Sequence, residues 1–128
     1  MWSDNLDGNK FLKTLYDSDP ELLDVRISKI HISEEGEKVT IAFDLPYFAD
    51  NVPKKWLNLG YNTVVAEIDF FGIKELSMHS SGKSYQGNIQ ITKNKIGEVI
   101  LNIEGSVSVT AKAELGNISS IRGYCNSP

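Results

Sequence analysis

The stretch Val99-Ile100-Leu101-Asn102-Ile103-Glu104-Gly105-Ser106-Val107-Ser108-Val109-Thr110-Ala111-Lys112-Ala113 decides the fold class. Every second residue is apolar on both sides of a Gly-Ser break: Val99, Leu101 and Ile103 before it, then Val107, Val109, Ala111 and Ala113. A period of two marks strands with one buried face. The break is too short for anything but a turn. Two strands joined by a turn must run antiparallel, because a parallel pair needs a long crossover. The small polar residues Ser106, Ser108 and Thr110 suit a face left to water.

The same period continues upstream. Val39, Ile41, Phe43 and Leu45 alternate, as do Val64, Ala66, Ile68 and Phe70. Ile73 to Met78 and Asn88 to Thr92 read as further strands, and Ile118 to Ile121 as a last short one. Leu23, Val25 and Ile27 hold one phase, then Ile30 and Ile32 the other; one residue skipped near Ser28-Lys29 is the signature of a β-bulge. Glu34-Glu35-Gly36-Glu37 turns that strand into the next. Ahead of the strands, Phe11, Leu12, Leu15 and Tyr16 form a helical stripe, with Asp7 or Asn9 as cap and Asp17-Ser18-Asp19-Pro20 as stop. So short a helix persists only if it docks on something. The expected fold is mainly β (α+β). It is an antiparallel meander of about eight strands, barrel-like or sandwich, with one N-terminal helix, in a single domain spanning 1–128.

Composition narrows the function classes. The chain has 128 residues, 41% hydrophobic and 23% charged, with a net charge of −4. That disfavours disorder and a dedicated nucleic-acid binder. Residues 1–50 carry a net −6 and residues 51–128 a net +2. An asymmetry of this kind points to a charged partner or to where the loops fall. A lone Cys125 and the absence of an apolar leader or a membrane-length run point to a soluble, cytoplasmic protein without disulfides, and to no membrane partner. His31 and His79 lie in separate strands, and no spacing suggests a metal or a cofactor. Glu67 and Asp69 share a strand face and Asp44 ends another strand, so carboxylates are the only catalytic groups on offer; their outward positions favour a solvated role, and no enzyme is expected.

The run from Pro46 to Gly60 interrupts the pattern. It holds Tyr47, Phe48 and Trp56, and a long loop with three aromatics is either functional or a plug for one end of the sheet. Interfaces favour aromatic anchors. Tyr47, Phe48, Asp50 and Trp56, with Tyr85 in the later polar turn, are therefore the candidate partner-binding residues. Lys54 to Leu59 would supply a helical turn.

Phe43-Asp44-Leu45-Pro46, Asp50-Asn51-Val52-Pro53-Lys54-Lys55-Trp56 and Gly60-Tyr61-Asn62-Thr63-Val64 carry a resemblance. Met1-Trp2, Lys10-Phe11-Leu12, Leu15-Tyr16, Ile73-Lys74-Glu75-Leu76, Gly105-Ser106-Val107 and Ile118-Ser119-Ser120-Ile121 extend it. In that order the segments resemble immunity protein family 50 of bacterial polymorphic toxin systems, from Trp2 to about Tyr124. The proline-lysine-tryptophan loop and the Gly-Tyr-Asn run are its most specific pieces. The resemblance implies a non-catalytic inhibitor that binds a cognate toxin domain in the producing cell. An acidic inhibitor suits a basic toxin domain, since opposite charges steer encounter. The acidic runs Asp17, Asp19, Glu21, Asp24 and Glu34, Glu35, Glu37 fall at opposite ends of one strand, ~33 Å apart at ~3.3 Å per residue. A small β-barrel holding an apolar ligand is the alternative. The oligomeric state stays open, because exposed sheet edges can pair.

Overall fold

The computed structural model describes residues 1–127. Six antiparallel strands close into a barrel: β1 (Val25–Ser33), β2 (Lys38–Asp44), β3 (Thr63–Ser80), β4 (Gln86–Lys93), β5 (Val99–Gly105) and β6 (Val107–Tyr124). Two helices accompany them, α1 (Lys10–Leu15) and α2 (Lys54–Asn58). The order around the ring is β1-β2-β3-β6-β5-β4. It consists of two three-stranded meanders joined at β3–β6 and at β1–β4.

The expected eight strands are six, because two long strands each read as two. β3 runs for 18 residues through Gly72, whose φ of 66° is left-handed, and a register shift follows between Ile73 and Glu75. The alternation breaks there although the pairing with β6 does not. β6, also 18 residues, changes phase at Glu114-Leu115, both exposed, and puts Gly116 at the next buried position, which hides the continuity of Val107–Ala113 with Ile118–Ile121; its register shift opposite Glu67 and Ile68 comes later, at Ser119. Bulges of this kind bend a strand and let it serve both sides of a small barrel.

The bulge expected near Ser28 is present: Ile27 faces Phe43 and Lys29 faces Ala42. Val25 and Ile27 are buried before it. Beyond it Ile30 is half-buried and Ile32 is exposed, so the tip of β1 lacks the buried face its alternation suggested. Leu22, not Leu23, reaches the core.

Inward residues of all six strands meet in one core. Phe43, Phe70, Ile41, Ile68, Leu101 and Ile103 are almost wholly buried. Leu12 and Leu15 of α1 and the ring of Tyr16 close one side, while Phe11, the fourth member of the expected stripe, is exposed and meets the edge of Trp56. Asn9 precedes α1, but its amide bonds the carbonyls of Ser3 and Leu6 instead of capping the helix. The β3–β4 connection passes over the β5–β6 turn at Ser106. Its backbone carbonyl accepts from the Ser81 N–H (2.9 Å), and its hydroxyl accepts from the Gln86 N–H (3.0 Å) and contacts the Ser84 carbonyl.

Candidate functional site

On the outside of the barrel, Asp44 of β2, Val65 of β3 and Arg122 of β6 lie side by side in register. They form the floor of a groove of about 440 Å³, which Arg26 and Ser28 of β1, Tyr61, Gly123 and Tyr124 complete. The groove continues in both directions. On one side Arg26 and Ser28 also line a depression with Ser84, Tyr85 and Gln86. On the other, Tyr61, Arg122 and Gly123 line one with Phe11, Lys55, Trp56 and Leu59. The three share lining residues and together make up an interrupted trough, whose last part turns over the edge of β6, where Ile121 and Gly123 pair with the inward-facing Ala66 and Val64.

Local sequence explains its shape. The bulge at Ser28 re-aims β1, and the Ser28 hydroxyl donates to the Ala42 carbonyl (3.3 Å). Arg26 thus reaches Asp44 (3.5 Å). Gly123 lets two rings lie against the strand, because a Cβ there would come within 2.6 Å of Tyr61 and 2.9 Å of Trp56.

The Tyr124 hydroxyl donates to the Asp44 carboxylate, 2.7 Å from each oxygen. Burial and that carboxylate both push the phenol above its ordinary pKa, burial more, so it stays a neutral donor. Asp44 is therefore held by its neighbours, while Arg26 keeps 58% of its side chain exposed and Arg122 is exposed. Along the trough three cations, Arg26, Arg122 and Lys55, stand against the single carboxylate of Asp44. The chain has two arginines among its 13 basic residues, and both line this trough.

Of the sequence-derived candidates, Trp56 and Tyr85 lie at the two ends of the trough. Trp56 is mainly a core residue, 9% exposed and packed on Phe11, Phe48 and Tyr61. Phe48 supports it from beneath and is half-buried against the core. Tyr85 is half-buried, and its carbonyl accepts from the Ile27 N–H (2.8 Å). Tyr47 and Asp50 lie outside the trough. Tyr47 packs edge-on against Tyr16 and accepts its hydroxyl proton at the backbone carbonyl (2.8 Å). Asp50 accepts from the Asp17 N–H (3.0 Å). The aromatic loop thus supplies part of one wall.

The core of the trough, Arg26, Asp44, Tyr61, Arg122 and Tyr124, was not among the binding candidates. One signal could have pointed to it: the arginines are two among eleven lysines, and interfaces favour arginine over lysine.

The carboxylates weighed for catalysis are matched on the outer surface. Glu67 pairs with Lys29 (2.5 Å) and Asp69 with Lys38 (3.8 Å), while the Thr40 hydroxyl also donates to Asp69 (2.6 Å). Among the described residues no group of three His, Cys, Asp or Glu is placed to hold a metal. No helix is long and apolar enough to cross a membrane.

A family model described as Immunity protein 50 matches residues 8–124, nearly the whole chain. No curated protein and no solved structure matches it.

Proposed function

The chain belongs to the immunity protein 50 family, and on that premise we propose that it neutralises a cognate toxin domain by binding it. The toxin belongs to a polymorphic toxin system used in bacterial competition, and the inhibitor works in the cytoplasm of the producing cell. The single observation that carries this reading is the extent of the family match, residues 8–124, which takes in every strand of the barrel. The outward carboxylates have partners on the surface: Glu67 and Asp69 pair with lysines, and Asp44 accepts from Tyr124.

The ligand-holding barrel is the less favoured reading. Eight strands leave an interior just wide enough for side chains or one small ligand. This barrel has six, and Ile41, Phe43, Ile68, Phe70, Leu101 and Ile103 point into it.

Co-expression tests the proposal. The toxin encoded beside this gene is induced in a sensitive host with and without this protein. Growth restored by the inhibitor supports neutralisation. Equal arrest in both cultures defeats it.

A further inference from the structure

We propose that the trough between Tyr85 and Trp56 is the toxin-docking surface, and that its occupant is a carboxylate-bearing segment of the toxin domain. This inference rests on the neutralisation reading and specifies its contact.

Four features of the trough point the same way. The first is its use of arginine. A guanidinium presents a planar fork of donors that fits a carboxylate in bidentate fashion, which a lysine ammonium cannot do. Both arginines of the chain stand in one groove, and the eleven lysines lie elsewhere except for Lys55 at its end. Among the described residues Arg26 makes one long contact, 3.5 Å to Asp44, which leaves most of its donors open. Arg122 forms no ion pair among the described residues.

The second feature is ring placement. Tyr61, Tyr85 and Tyr124, three of the five tyrosines, line the trough together with Trp56. Tyrosine, tryptophan and arginine are the residues that carry most binding energy at protein interfaces.

The third is preorganisation. Asp44 and its Tyr124 hydrogen bond fix the floor, and Gly123 seats the Tyr61 and Trp56 rings against β6. A surface already ordered loses less entropy when it binds.

The last is the sign of the charge. The chain as a whole is at −4, which suggested a basic partner. Yet the acids fall in runs at opposite ends of β1, and several are matched by lysines: Asp4 by Lys13, Glu67 by Lys29 and Glu98 by Lys74. The trough carries three cations against one carboxylate. Charges beyond about 8–10 Å are screened at physiological salt, so the contact is governed by this local excess. It selects carboxylates.

The experiment measures affinity between the purified protein and the C-terminal domain of the toxin encoded beside its gene. Four forms are compared: wild type, Arg26→Gln/Arg122→Gln, Arg122→Glu, and Lys93→Gln/Lys95→Gln as a control that removes the same charge outside the trough. Circular dichroism and thermal melts establish that each is folded; the arginines are solvent-facing, so their replacement spares the core. The double glutamine variant is expected to bind at least tenfold more weakly, Arg122→Glu weaker still, and the control like wild type. Unchanged or tighter binding by the folded arginine variants overturns the proposal and leaves neutralisation standing. Failure of the wild type to bind or rescue defeats both. Two other results also overturn the assignment: a self-associating wild type that the glutamine variant makes monomeric, which would give the trough to a second copy of this chain, or arginine-dependent capture of a single-stranded oligonucleotide, which would give it to phosphate.

Discussion

The hydroxyl of Tyr124 sits 2.7 Å from both oxygens of Asp44, bridging strands that are 80 residues apart in sequence. It ties the end of β6 to the end of β2 across the outer face of β3. Hydrogen bonds to charged groups contribute about 1.5–3 kcal/mol, and a mostly buried carboxylate that loses its donor pays a desolvation cost. Tyr124→Phe is therefore expected to lower unfolding free energy by about 2 kcal/mol in urea titration. Asp44→Asn, which still accepts the bond but removes the charge, should cost less.

Trp56 and Tyr47 come from the same loop and predict opposite behaviour. Trp56 is 9% exposed and packs on three other rings, whereas Tyr47 is 48% exposed. Trp56→Ala should destabilise the fold by about 3–5 kcal/mol, as large-to-small core changes do. Tyr47→Ala should stay within about 1 kcal/mol, since its backbone carbonyl, not its ring hydroxyl, holds Tyr16. Thermal melts of the two variants decide the matter.

Ser106 is where the β3–β4 connection is pinned. Its hydroxyl accepts the Gln86 N–H at 3.0 Å and meets the Ser84 carbonyl. Ser106→Ala is expected to cost about 1–2 kcal/mol. Proteolysis should then cut first within residues 81–85, a segment whose other anchors are few.

Glu98 and Lys74 form a 2.8 Å ion pair that links the turn before β5 to β3. The bond from Lys74, then that from Asn94, holds the Glu98 carboxyl below its ordinary value of 4.5. A depressed carboxylate stabilises the fold above its unfolded pKa, and that contribution is lost as pH falls through the folded one. Lys74 is raised by the same pair, so its share is present below its ordinary 10.5 and lost as pH rises through its folded value. Melting temperature followed from neutral pH to about pH 3 should fall less steeply in Glu98→Gln than in wild type. Identical acid limbs would show that the pair contributes nothing.

Strand identity was legible wherever alternation is unbroken, as in Val99–Ile103 and Val107–Ala113. Even the bulge at Ser28 could be read, because the apolar phase changes from Ile27 to Ile30. Continuity across a bulge could not. At Gly72 and at Glu114-Leu115 the alternation fails while the hydrogen-bonded ladder carries on, so one strand looks like two. Nor is partner choice written locally: nothing in Ile73–Met78 distinguishes β6 from β4 as its neighbour. The trough was hidden for the same reason. Arg26, Asp44 and Tyr124 are each an ordinary outward-facing polar residue, and they become a site only once the ring brings their strands together. Charge totals are silent in a related way, since a sum over a chain says nothing about which charges share a surface. The aromatic loop stood out by its rings, and Trp56 and Phe48 pack against the core.

The ring is joined at β1–β4 by only two residue pairs, Val25 with Gly87 and Arg26 with Gln86. Every other junction is longer. This one is the clasp of the hoop, and Arg26 belongs both to the clasp and to the trough. Whatever grips the arginine also holds the hoop shut, so occupancy and closure are thermodynamically linked. The protein would be stiffest while engaged, and the amide protons of Ile27 and Ile89, bonded to the Tyr85 and Leu22 carbonyls across this junction, would report that stiffening first by slower exchange with solvent.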